Sequence, residues 1–416
     1  MSLLLFLVYN LHKFHSLLLN SDSEVNKDKK YMRTTFVAAS LFFSALLLVK
    51  SVAAVEIDLG AASKYNAFIQ NNFTVSGSDT QGRVAVGGDL VINGGNDVGT
   101  KIQAFDMGAG PSLVVGGNVV KSGQGSFNVY EAGPHQSPHA GEVVYAGKVL
   151  NNGTEVTSGV VGQIEAQLSK VNTAQLPVDF DNAFAHLNQL SNNLQATTSS
   201  GTTSSGNDWQ GNPSGPLTFT PTTTPSDNVY VFDVTQEQIN QGVTWDVIGV
   251  NDDATIVFNI TNDNKVKGNK WWTGADQCQA GQTGCMQLNG QQVSVNGNRL
   301  DPVNVDSLVG RPAHQVLYNF VGATQVVLNG STYGSVLAPS ADIKALTGHV
   351  VGQVIGKSWD GNMQINYNPL PPTTPVPTPT TIWLFFLAVA LTFVNRRALL
   401  TKRITVMKPP VLHKTV

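Results

Sequence analysis

YNAFIQNNFTVSGSDTQGRVAVGGDL, residues 65–90, ends in a motif that returns twice further along the chain. Val86-Gly87-Gly88-Asp89-Leu90 is echoed by Val115-Gly116-Gly117-Asn118-Val119 and by Tyr145-Ala146-Gly147-Lys148-Val149, at spacings of roughly 29 to 30 residues, inside the window of stacked repeat units. Each copy is a short β-branched strand, a Gly-rich corner where positive φ or close backbone approach is easy, and a second short apolar strand. A solenoid needs that order: small corners turn the chain between flat faces, and alternating Val and Leu positions stack into one interior column. An ordinary β-sandwich with Gly-rich hairpins has the same periodicity, so the repeat alone leaves both architectures open.

A chain of 416 residues has room for two or three domains, although solenoids and barrels often run past about 200 residues as one unit. Charged residues are only 13%, glycines number 40, and Asn, Thr, Ser and Gln are abundant, which fits an exported β-rich protein better than a cytosolic helical enzyme. The net charge of -3, with no Arg/Lys cluster interleaved with aromatics, gives no basic footprint for nucleic acid. Two cysteines, Cys278 and Cys285 in CQAGQTGC, have no second pair and no nearby His, so they do not match common zinc spacing. In an exported protein they read as a local disulfide pinning a loop, with a pair of free thiols as the alternative.

Outward from the repeats toward the N-terminus, residues 1–31 combine an apolar start with a polar, charged stretch from Ser21 to Lys30 and read as an upstream extension. Residues 32–54 have the parts of a signal peptide in order: Arg33, an apolar core from Phe36 to Val49, and small Ser51 and Ala53. Met32 is therefore the expected start, with cleavage near Ala53 or Ala54; an uncleaved N-terminal anchor is the alternative.

Beyond the repeats the period changes. Phe184, Leu187, Leu190 and Leu194 recur at helical intervals, with Asp179 or Asp181 available as N-cap, so a helix packed by one stripe along a β body is expected. Ile164, Leu168 and Val171 suggest another helix, broken at Pro177. Residues 197–225 read as a low-complexity connector. Strand signals resume in VYVFDVT (229–235), VTWDVIGV (243–250) and TIVFNI (255–260). Val336 and Val354, in Gly-Ser-Val-Leu and Gly-Gln-Val-Ile, have a spacing compatible with one solenoid rung.

Candidate recognition residues lie in KVKGNKWWTGADQCQAGQTGC. Trp271 and Trp272 beside Lys270 offer flat apolar faces plus donors, a combination suited to sugar rings or a protein surface, although adjacent strand residues point to opposite sides and one Trp can be core. Asp252, Asp253 and Asp263 could gather calcium, yet they lack the spacing of a dedicated loop and fit turn chemistry better. His135 and His139 sit among prolines and read as loop residues.

Several segments together resemble the choice-of-anchor A family, exported bacterial proteins with an adhesive domain related to the ice-binding-like β-solenoid fold. They are the opening 65–90 stretch, VDFDNAFAHLNQLSNNL, NVYVFDVTQEQI, VLYNFVGATQVVLNGSTYGSVLAPSADI and GHVVGQVIG. The resemblance implies a mainly β, right-handed β-solenoid (β-helix) over 55–369 with a long α-helix packed along its flank. The family carries varied C-terminal sorting signals, and here a Pro/Thr-rich spacer at 370–381 precedes an apolar run at 382–394 and a basic tail at 395–416. PVPTPTTIWLF resembles the PEP-CTERM signal read by exosortase, with Pro377-Thr378-Pro379 where Pro-Glu-Pro is usual and Arg396 and Arg397 after the apolar run. The missing Glu and the tail beyond Arg397 depart from that pattern, and a plain membrane anchor is the other reading.

The expected protein is therefore an exported, surface-anchored, non-catalytic adhesin whose partner is an extracellular glycan or a matrix or cell-surface protein. An exosortase-like sorting enzyme and the membrane are further partners; nucleic acid, metal and cofactor are not expected. No Ser-His-Asp set, GxSxG motif, phosphate-binding glycine loop or metal-ligand cluster stands out. Rival readings are a structural matrix or envelope component, an ice-binding protein, and a polysaccharide-processing β-helix enzyme using Asp252, Asp253, Asp263 or Arg299.

Overall fold

Val84–Val86, Leu113–Val115 and Glu142–Tyr145, the strands that open the three motif copies, lie parallel and in register, Val86 beside Val115 and Val115 beside Tyr145. The strands that close the copies repeat the pattern, Leu90 beside Val119 and Val119 beside Val149. A β-sandwich built on hairpins would pair them antiparallel. The chain instead coils, laying each copy on the one before it. The computed structural model describes residues 55–373, apart from 103–106, 108, 132–140, 159–162, 208–209, 211–212, 226, 242–243, 262–277, 280, 301–314 and 372.

The protein is mainly β, and a 17-stranded sheet curls around two faces of the coil while a 7-stranded sheet closes the third. Inward positions alternate with outward ones, so Val84, Val86, Leu90, Ile92, Val119 and Phe127 enter one continuous core. At the corners the motif glycines stack. A Cβ on Gly116 would stand 2.1 Å from the Gly87 carbonyl oxygen, so no larger residue fits without moving the backbone.

The winding is not continuous from one end to the other. Ala67 pairs with Val84 on one side and with Val354 on the other, so the first and last coils are neighbours in the middle of the first face. From there the chain coils outward to Gln167–Lys170, beside Glu142–Tyr145. It begins again with Val229–Thr235 at the opposite end and returns through Thr255–Thr261, Val316–Phe320 and Ser335–Thr347 to Val354. Val336 and Val354 are partners in that return.

Helix α1, Phe180–Ala196, links the two series of coils, with the Asp179 carboxylate accepting from the Asn182 backbone N–H as its N-cap. Its Phe184, Leu187, Leu190 and Leu194 are buried against outward residues of the first face, among them Phe68, Val257, Leu317 and Ile355. Phe184 stacks on Phe68 at 5.3 Å, Asn188 accepts from Ser340 at 2.6 Å, and the Leu194 carbonyl accepts from the Asn259 amide at 2.9 Å. Because a helix rises about 5.4 Å per turn and strands lie about 4.8 Å apart, each turn meets roughly one new strand.

Two expectations are corrected. Ile164, Leu168 and Val171 lie on no helix: Ile164–Glu165 and Gln167–Lys170 are strands, paired with Phe127–Val129 and Glu142–Tyr145. The coil offers this segment ready-made parallel partners and a buried site for Ile164, whereas an isolated short helix is marginal in water. Nor is 197–225 only a connector. Gly201–Asn207 and Pro213–Pro221 form an antiparallel pair that opens a 5-stranded sheet, with Leu217 and Phe219 alternating into the core.

Candidate binding surface

The first face lies under α1, while on the second the outward residues of Phe73–Val75, Leu90–Asn93, Val119–Ser122 and Val149–Asn151 are partly exposed. The second face's inward residues Phe73, Leu90, Ile92, Val119, Val149 and Trp359 belong to the core. Register then dictates what it shows outside: Lys344, Asp360, Thr74, Val91, Val120 and Leu150 form one column, each beside the next on the adjoining strand. Strand spacing sets these side chains about 4.8 Å apart. Thr74, Val91, Val120 and Leu150 are half-buried, a flat stripe that is mostly apolar, and Thr74 is the only threonine among these six positions.

A ladder of short polar side chains borders the stripe. The Asn72 side-chain oxygen accepts from the Asp89 backbone N–H at 3.0 Å, Asp89 from Asn118 N–H at 2.6 Å, and Asn118 from Lys148 N–H at 2.9 Å. Each step ties one coil to the next and satisfies an N–H that the corner leaves without a strand partner. On the other half of the face the groups are charged but paired: Lys344 with Asp360 at 2.5 Å, and Lys357 with Asp342 at 3.7 Å.

Cys278 and Cys285 are bonded, with Cα atoms 5.6 Å apart. They are buried against Val327 and the partly buried Leu346, on the outer side of the same face. The segment bearing Lys270, Trp271 and Trp272 lies outside the described residues, as do Pro377, Pro379, Arg396 and Arg397 of the expected sorting signal, the expected signal peptide at 32–54, and His135 and His139. The chain nevertheless re-enters the described structure at Cys278, within about seven residues of the Trp pair, on the second face.

Asp252 accepts from Asn296 at 3.1 Å and Asp253 from Asn228 at 2.8 Å, each serving a turn, while Asp263 lies outside the described residues and Arg299 sits on the short strand Asn298–Arg299. Among the described residues no group of three or more His, Cys, Asp or Glu is placed to hold a metal ion, and no helix is long and apolar enough to cross a membrane. The polar ladder beside the stripe escaped the sequence reading, although Asp89, Asn118 and Lys148 occupy one position of the repeat and Asn72 precedes them.

A family model described as a putative ice-binding-like adhesive domain matches residues 58–367. Solved structures also align over most of the chain. The ice-binding protein of the Antarctic ascomycete Antarctomyces psychrotrophicus is 14% identical, covering 78% of this chain and 100% of its own, with a TM-score of 0.31. A glycosylated ice-binding protein from an Arctic yeast is 14% identical over 79% of this chain and 97% of its own, at 0.32. An ice-binding protein domain of Shewanella frigidimarina is 12% identical over 76% and 98%, at 0.32. No curated protein matches.

Proposed function

Because the chain belongs to the family described as putative ice-binding-like adhesive domains, we propose that it is an exported, surface-anchored, non-catalytic adhesin that uses the second face of its coil. The observation that carries this reading is the partly exposed column Thr74, Val91, Val120 and Leu150, held flat by in-register parallel pairing and edged by the Asn72, Asp89, Asn118 and Lys148 ladder. A flat face with a half-apolar stripe suits many weak contacts summed over an extended partner, as adhesion requires.

The finer parts of the proposal follow the choice-of-anchor A resemblance. The winding is right-handed with α1 along its flank, 32–54 is a signal peptide removed on export, and 382–394 holds the protein in the membrane until an exosortase-like enzyme acts at the PEP-CTERM-like signal. The partner is an extracellular glycan or a matrix or cell-surface protein, and Trp271, Trp272 and Lys270 extend the contact surface. The protein binds no nucleic acid and needs no cofactor.

A glycan and matrix-protein array probed with the exported chain and with Trp271→Ala/Trp272→Ala tests this. Selective binding weakened at least tenfold in the double variant supports the reading, since stacking aromatics contribute about 1 kcal/mol or more each. Folded protein that binds no component favours a structural role in the matrix or envelope instead. Ice is not the expected partner of the second face, because its outward column lacks a repeating threonine; thermal hysteresis above background in purified protein would contradict that.

A further inference from the structure

The third face carries a column of its own. Ser78–Thr80 belongs to the first coil, and its neighbours are Asn96–Val98 of the second coil on one side and Gln364–Asn366 of the last coil on the other. Thr80 and Val98 turn inward, so Asp79 and Asp97, partners in register, both face outward on adjacent strands. Next along the column stands Asn128, partnered with Asp97, and then Glu165, partnered with Asn128.

Each member of the acidic pair takes a side-chain donor from the strand beyond it, and the Tyr130 hydroxyl also bonds Asp97. Gln364 donates its side-chain N–H to Asp79 at 3.1 Å, and Asn128 donates to Asp97 at 2.7 Å. Asp79 and Asp97 stand on adjoining strands, about one strand spacing apart, and two ionised carboxylates can offer each other no donor. Like charges at that distance cannot both ionise easily.

The surrounding groups do not cancel this. Lys101, in the loop after Asn96–Val98, favours ionised Asp79, but burial and then the charge of Asp97 outweigh it and push Asp79 up to about 6. Tyr130 stands beside Asp97 and Glu165; burial first, then the Asp97 charge, holds its hydroxyl protonated well past neutrality. His349, one strand beyond Gln364, is edge-on to Tyr333, and burial holds its imidazole toward the neutral form.

We propose that Asp79 and Asp97 share one proton, Asp79 donating O–H to the Asp97 carboxylate, so that the third face is fastened in mild acid where the first coil meets the second and loosened as the pair ionises. The fastening draws its proton from water and returns it there. It joins the first coil, which is already in contact with the last coil through Gln364, to the rest of the outward-wound series. Asp79 takes its ordinary value of 3.8 in the unfolded chain, so the stabilisation is complete below that value and is lost as pH rises through about 6. The folding equilibrium constant should therefore fall about tenfold on this account between pH 5 and pH 7.5.

Denaturant unfolding of the exported chain at pH 5 and pH 7.5, with Asp97→Asn and Asp79→Asn alongside, tests the pair. Asp79→Asn removes the titrating group and should lose about tenfold of the wild-type pH dependence, whereas Asp97→Asn removes the neighbouring charge and supplies an N–H donor but leaves Asp79 buried, so it should lose only part of that dependence. Each should be at least as stable as wild type at pH 7.5. Parallel pH profiles for wild type and both variants would overturn the proposal. So would recovery of wild-type stability at pH 7.5 on adding millimolar calcium chloride, since a cation and not a proton would then close the gap.

Discussion

Gly116 is fixed by what lies beneath it. Its corner rests on the Gly87 carbonyl of the previous coil, 2.1 Å from where a Cβ would stand, and a backbone atom cannot rotate away as a side chain could. Gly116→Ala is expected to cost about 2 to 3 kcal/mol, read as a lower urea midpoint with an unchanged slope. Asn319 is a different kind of constraint. Fully buried under α1, it donates to the Ser191 carbonyl at 3.0 Å and to Asn259 at 2.9 Å, and accepts from the Ser191 hydroxyl at 2.6 Å. Asn319→Ala leaves those partners without it in a water-poor site, and about 1 to 3 kcal/mol should be lost in the same measurement.

At the scale of elements, α1 completes the first face and connects the two series of coils. Leu187 is fully buried at that junction, so Leu187→Ala should cost about 3 kcal/mol, checked by chemical denaturation. Which elements could be read from the residues depended on how much of their reason was local. The corner motif was legible because Val86-Gly87-Gly88, Val115-Gly116-Gly117 and Tyr145-Ala146-Gly147 carry strand, corner and period in adjacent residues. The stripe of Phe184, Leu187, Leu190 and Leu194 was legible for the same reason. Ile164, Leu168 and Val171 have helical spacing, yet their strands form because Phe127 and Val143 await them in the preceding coil, information that the segment itself does not hold. The hairpin of Gly201–Asn207 and Pro213–Pro221 was hidden by its Ser and Thr content, which reads as linker although Thr is also a good strand residue.

For the whole molecule, the pairing of Ala67 with Val354 is what the sequence could least disclose, because nothing in either strand says that the first coil meets the last. The candidate surface is a product of the same register. Val91 and Val120 look like any strand valines until their neighbours Leu90 and Val119 are seen to point inward, which turns them outward beside Thr74 and Leu150. The Asp79 and Asp97 pair arises likewise from strands brought together by coiling. Because Val91 and Val120 are half-exposed, replacing both with lysine should leave folding intact while spoiling the stripe. The most direct test of the account is the binding of wild-type and Val91→Lys/Val120→Lys chains to the glycan and matrix-protein array, at matched thermal stability. Selective binding by the wild type that falls at least tenfold in the variant is the predicted result; equal binding by both chains would contradict a binding site on the second face.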